Sequence, residues 1–233
     1  MKKLQVKLFQ TLLLTSTLPL MIVGLITLAF LGKMAVNDAE QRINSAVKLA
    51  LNTYQNVSDN LKFTVRDQNR RIFSLLADDQ IDLLKNEYAK VTAKNNLDFF
   101  VVTDNSGKVL VSMSSPQFEG ADYSRDFFVR KALRGQIYVS TEVLGESDLA
   151  KLGLLEKSRI SGIAPVQGLV LKASMPVFNS NEILVGTMTA GYLLNNNNSV
   201  IVDKISRGTD LVSTVFLGNT RVCSNLPLAK IPV

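Results

Sequence analysis

The stretch "FFVVTDNSGKVLVS", Phe99 to Ser112, consists of two short apolar runs around a polar turn. Asp104 opens the turn, Asn105 and Ser106 fill its middle and Gly107 closes it, the order of a type I turn followed by a glycine that accepts positive φ. The chain reverses here, as a β-hairpin. Phe99, Phe100, Val101 and Val102 are consecutive and apolar, which predicts a strand covered on both faces. A single hairpin cannot supply that cover, so the flanking sequence must provide elements for either side.

On the N-terminal side, Val36 to Ala77 contains no Pro or Gly, and Ile43, Val47, Ala50, Tyr54, Val57, Leu61 and Val65 recur in steps of four and three. That spacing draws one apolar stripe along a long helix. Thr64 and Gln68 interrupt a strict heptad, so the stripe is expected to meet a second copy of the chain near its start and the protein's own sheet further along. The alternative is a helix that is simply core to its own domain. A second helix is expected from Gln80 to Lys94. Two short motifs on the long helix, "SAVK" at Ser45–Lys48 and "SDN" at Ser58–Asn60, match pieces of penicillin-binding enzymes. They lie too close together on one helix, with no K-T-G strand, to form that site.

On the C-terminal side, a short helix is predicted over Ser124–Arg134, with Ser124 as N-cap, Asp126 in the first turn and Gly135 beyond its end. "IYVSTEVL" reads as a strand and "DLAKLGLLEKSRI" as a short amphipathic helical piece. "GLVLKASMPVF", Gly168–Phe178, and "ILVGTMTAGYLL", Ile183–Leu194, are strands joined by "NSNE". The fold class is therefore α+β, a five-stranded antiparallel sheet with helices packed on it.

Leu8 to Gly32 carries no charged residue. A helix of about 22 residues rises about 33 Å, enough to cross a bilayer core. Lys2, Lys3 and Lys7 precede the run and only Lys33 follows before Asp38 and Glu40, so the N-terminus is expected in the cytoplasm and the remainder outside. The apolar run is longer than that of a cleaved signal peptide. A single-pass anchor in the inner membrane is the reading.

Composition removes several function classes. The chain has 26 Lys+Arg against 20 Asp+Glu, scattered without an Arg-rich stripe, which gives no footprint for nucleic acid. It has no histidine and one cysteine, Cys223, which argues against the usual zinc sites, covalent haem and imidazole catalysis. Neither catalytic residues, nor a metal, nor a cofactor is expected. Cys223 reads as a small buried apolar residue.

The anchor, the long helix, "FFVVTDNSGKVLVS", "YSRDFFVRKALRGQIYVSTE", "LVLKASMPVFNSNEILVGTMTAGYLLNN" and "TVFLGNTRV" together resemble the N-terminal portion of the double Cache sensor regions of bacterial chemoreceptors and sensor kinases. The resemblance covers the chain from Val36 onward. It implies a PAS-like lobe that binds a small molecule between its sheet and the loops over it, as part of a dimeric receptor. It divides the chain into a cytoplasmic N-terminus (1–7), an anchor (8–32), a long and a second helix (33–95), a membrane-distal lobe (96–194), a linking helix (195–210) and the start of a truncated second lobe (211–233). Such regions continue into a second lobe, another span and a signalling module, so the expectation is a receptor cut short before its output.

The resemblance also points to Tyr123, Arg125 and Asp126, in the loop and short helix after the second strand, as ligand contacts. On "LVLKAS", Lys172 and Ser174 alternate onto one face, and a charged residue inside a central strand is unusual. Arg125 and Lys172 together could hold a carboxylate, as in an organic or amino acid. The plainer alternatives are a solvated cation at a helix end for Arg125 and an edge-blunting lysine for Lys172. Tyr192 and Phe128 read as core. Two other functions remain open: a membrane-anchored dimerisation body, which requires a lobe filled by its own side chains, and a nonfunctional receptor remnant.

Overall fold

The computed structural model describes residues 2–77, 80–159, 166–195, 200–209 and 212–225. It divides into two compact units, Met1–Lys48 and Leu49–Val233. Helix α1 runs Lys2–Ala77 and accommodates Pro19. Among the described residues of the first unit its large apolar side chains are exposed: Leu20 73%, Leu28 73% and Phe30 66%. From Pro19 on it contains an apolar window of mean hydropathy 2.0, long enough to cross a membrane, and none of that window is buried.

The second unit is built on the sheet that the hairpin begins. After α2 (Ile81–Asn95) come β1 (Phe99–Asp104) and β2 (Val109–Ser112), then α3 (Phe127–Leu133). The chain continues through β3 (Tyr138–Gly145), α4 (Glu146–Lys151) and α5 (Leu155–Ser158). It crosses the sheet again as β4 (Gln167–Phe178) and β5 (Leu184–Leu193). Strand order is β2-β1-β5-β4-β3, five strands, each pair antiparallel. Helix α6 (Val200–Thr209) and a separate two-stranded ribbon, β6 (Thr214–Leu217) with β7 (Thr220–Ser224), follow. Cys223 is buried in that ribbon; residues 211 and 226–233 of the expected second-lobe segment lie outside the described residues.

The apolar run in β1 is covered on both faces. Phe100 and Val102 join Leu171, Ala173 and Met188 in a core with Val57, Leu61 and Val65 of α1 and Leu84 and Tyr88 of α2. The Tyr88 and Phe100 rings stack at 4.3 Å. Phe99 and Val101 point the other way, into a second core with Tyr123, Val129, Leu149, Leu154 and Val170. Alternation along strands separates these two sets. The stripe on α1 divides too: Val57, Leu61 and Val65 are buried, whereas Ile43 is 61% and Val47 52% exposed.

Two local expectations need correction. The short helix begins at Phe127, and its N-cap is Asp126, whose carboxylate accepts the Phe128 and Val129 N–H groups at 2.9 and 3.0 Å. Ser124 is occupied earlier, its N–H donating to Asp122 at 2.8 Å in a turn. The amphipathic piece after β3 breaks into α4 and α5 around Gly153, which has φ of +69° and lies against the Ser114 carbonyl. The opening turn is as expected: Gly107 has φ of +89°, and the Asp104 carboxylate accepts the Ser106 and Lys108 N–H groups at 2.8 and 2.9 Å.

Candidate functional site

The face of the sheet away from α1 and α2 carries an unusual row of polar side chains. Register places Tyr138 opposite Ser174 and Ser140 opposite Lys172, with Glu142 two residues further along the same face. Ser174 and Thr189 share a hydrogen bond of 2.8 Å, and Thr103 and Thr187 one of 2.7 Å. Lys172 lies in this row and is fully buried. Because β4 sits between β5 and β3, it is not an edge lysine.

A buried ammonium is tolerated only with charge partners. Lys172 has two: its Nζ donates to Asp126 Oδ2 and, at 3.3 Å, to Glu142 Oε2. Two rings complete the surround, Phe128 with its centroid 4.6 Å from Nζ and Tyr123 at 5.3 Å, distances at which an aromatic face attracts a cation. The Tyr123 hydroxyl also bonds Asp126, and burial, then the Asp126 and Glu142 charges, hold its pKa well above the usual phenol value. It remains a neutral donor. Asp126 therefore does two jobs: one oxygen caps α3 and the other receives Lys172.

Of the residues expected at the site, Tyr123, Asp126 and Lys172 converge, and Ser174 lies one alternation along β4 from Lys172. Arg125 does not join them. It is exposed, and its charge acts on Asp122. The backbone at Asp126 is extended (φ −61°, ψ 135°), and successive side chains of extended chain point opposite ways. The expected two-cation clamp is thus replaced by one lysine and two carboxylates, with a formal charge of about −1. Phe128, read as core alone, also faces the ammonium. Glu142 was not foreseen; the β3–β4 register places it on this face, and the alternation of Tyr138, Ser140 and Glu142 is the sequence signal that could have found it. Among the described residues no group of His, Cys, Asp and Glu could hold a metal ion.

The protein's sequence matches no family model and no curated protein. The fold, by contrast, has counterparts among solved structures. The periplasmic domain of Vibrio cholerae LuxQ is similar with a TM-score of 0.54 at 14% identity, over 81% of this chain and 80% of that one. The extracellular domain of the histidine kinase candidate vpHK1S-Z8 has a TM-score of 0.51 at 15% identity, over 68% of this chain and 60% of that one. The E. coli DcuS sensor domain, 20% identical with a TM-score of 0.46, is covered over 98% of its length by 66% of this chain. The second unit has the Cache/PAS-like α+β fold of periplasmic sensor domains.

Proposed function

We propose that this protein is the extracytoplasmic sensing part of a membrane-anchored signal-transduction receptor, and that its lobe binds a small zwitterion such as an amino acid. The observation that carries the proposal is the buried Lys172–Asp126–Glu142 centre beneath the seven-residue helix α3. A ligand carboxylate could take Lys172 while its ammonium takes Asp126 and Glu142 between the Tyr123 and Phe128 rings. That exchange leaves every buried charge paired. A plain carboxylate would instead leave Asp126 and Glu142 facing one another, at a cost of several kcal/mol, roughly that of an unpaired buried ion.

The output is movement rather than catalysis: a ligand that prefers one position of α3 shifts the lobe by its difference in affinity for the two. The topology follows from the Lys2, Lys3 and Lys7 cluster, which keeps the N-terminus in the cytoplasm. The exposed Ile43, Val47 and Leu51 of α1 are a surface on which a second copy would pack. The β6–β7 ribbon is read as the opening of a second lobe.

One observation favours a different reading. Phe128 is 2% and Tyr123 8% exposed, so the protein's own side chains close over the centre, as a pure dimerisation body would require. Binding of the twenty amino acids to the full chain in lipid nanodiscs, read as a rise in melting temperature, separates the two. An amino acid that stabilises the wild type by mass action and has no effect on Lys172→Met supports sensing here. If the whole panel leaves the melting temperature unchanged, the dimerisation body is the better account.

A further inference from the structure

A recess lies where the lobe meets α6. It is lined by Asp98, Lys157, Tyr192, Asn195, Lys204 and Arg207 and has a volume of about 660 Å³, a size in the range of small-molecule clefts, about 300–1,000 Å³. None of these residues belongs to the Lys172 centre.

The floor is fixed by bonds within the protein. Asp98 accepts the Leu193 N–H at 2.9 Å through one oxygen and Lys157 at 3.2 Å through the other. Asn195 accepts the Leu169 N–H at 2.8 Å and donates to the carbonyls of Gln167 and Ser158 at 2.8 and 3.2 Å. The Tyr192 hydroxyl donates to the Asn95 carbonyl at 3.1 Å. The floor groups thus hold the shape of the recess.

The wall is different. Lys204 and Arg207 stand three residues apart, one turn of α6, and both line the recess. Both are exposed, and neither enters an ion pair among the described residues. With Asp98 and Lys157 neutralising each other, the charges left on the lining are those of Lys204, Arg207 and Asp203, a balance of about +1. A guanidinium fork beside an ammonium matches the oxygens of a carboxylate or phosphate. Helix α6 itself is seated by Ile201 and Val202, both buried. A molecule in the recess would touch α6 on one side and the end of β5 on the other.

We propose that this recess binds a small oxyanion, a carboxylate or a phosphate, through Lys204 and Arg207, and that the bound anion fixes α6 against the end of β5. The assignment is independent of the amino-acid site. Its test is equilibrium dialysis of the full chain in nanodiscs of zwitterionic lipid, with radiolabelled inorganic phosphate in one arm and succinate in the other, at constant ionic strength. Saturable uptake of one anion per chain is expected in at least one arm, and the arm that binds identifies the oxyanion. The Lys204→Gln/Arg207→Gln pair should weaken it at least tenfold, while Lys62→Gln/Arg66→Gln, which removes the same charge from the exposed face of α1, should not. Amide exchange over Val200–Thr209 should slow on adding the anion to wild type and stay unchanged in the α6 variant. Unsaturable uptake in both arms, or equal weakening by both pairs, overturns the proposal. Amino-acid binding at Lys172 should survive the α6 substitutions, so failure of one site is distinguishable from failure of the other.

Discussion

Replacing Lys172 with methionine tests the charged centre most directly. The substitution keeps a long unbranched side chain and removes only the ammonium, so it opens little cavity and leaves Asp126 and Glu142 without their cation. Removing one partner of a buried pair costs about 3–5 kcal/mol. Here Asp126 is 11% exposed and Glu142 29%, so water reaches one carboxylate better than the other and the low end, about 3 kcal/mol, applies. In a unit of this size that corresponds to a fall in melting temperature of roughly 6–12 °C. The assay is urea unfolding of the nanodisc-bound chain followed by circular dichroism. Adding Asp126→Asn and Glu142→Gln should restore most of the loss, because asparagine still caps a helix and no charge is left unpaired. A loss under about 1 kcal/mol would refute the idea that Lys172 is paired inside the protein.

Three further outcomes are expected. Asp126→Ala should destabilise more than Asp126→Asn, by about 1 kcal/mol for the lost cap, with faster amide exchange confined to Phe127–Leu133 as the local sign of it. Leu61→Ala, at a fully buried position on α1, should cost about 2–5 kcal/mol, whereas Val47→Ala should leave monomer stability unchanged and alter only self-association in sedimentation. Tyr123 and Tyr88 carry raised pKa values in the folded protein, in both cases chiefly through burial. Their phenols ionise near pH 10 once unfolded, so the stability they contribute is complete below that pH and falls above it. Absorbance at tyrosinate wavelengths should show these two phenols ionising only together with loss of the circular dichroism signal.

The hairpin was legible because its turn chemistry is local: an aspartate, two polar residues and a glycine decide the reversal without help from the rest of the chain. Lys172 was legible as an anomaly, a charge amid apolar residues, yet its partners were not. Glu142 is 30 residues away, and its face depends on the pairing register of β3 with β4, which alternation suggests but does not fix. The resemblance pointed to the whole loop that holds Tyr123, Arg125 and Asp126 without separating its members, and the extended backbone at Asp126 turns its neighbour Arg125 away. The division of the α1 stripe was expected from the break in its heptad at Thr64 and Gln68, but the point where cover begins was not legible: the spacing is the same at Ile43 as at Leu61, and only the position of the sheet decides which part is covered.

Edge strand β3 carries two attachments on adjacent residues. On one face the Thr141 hydroxyl shares a 2.8 Å hydrogen bond with the hydroxyl of Tyr54 on α1; on the other, Glu142 holds Lys172. An edge strand is laddered on one side only, so it twists with less loss of backbone bonding than its neighbours. In mechanical terms β3 is a torsion bar gripped at one point by the centre beneath α3 and at the next by α1. Load applied along α1 and the pairing of Glu142 with Lys172 therefore act on the same twist, and by linkage each must bias the other equally. Single-molecule pulling on α1 should measure a force threshold that shifts when Glu142 is replaced by Gln and loses that shift in Tyr54→Phe, where the bar is released at its other grip.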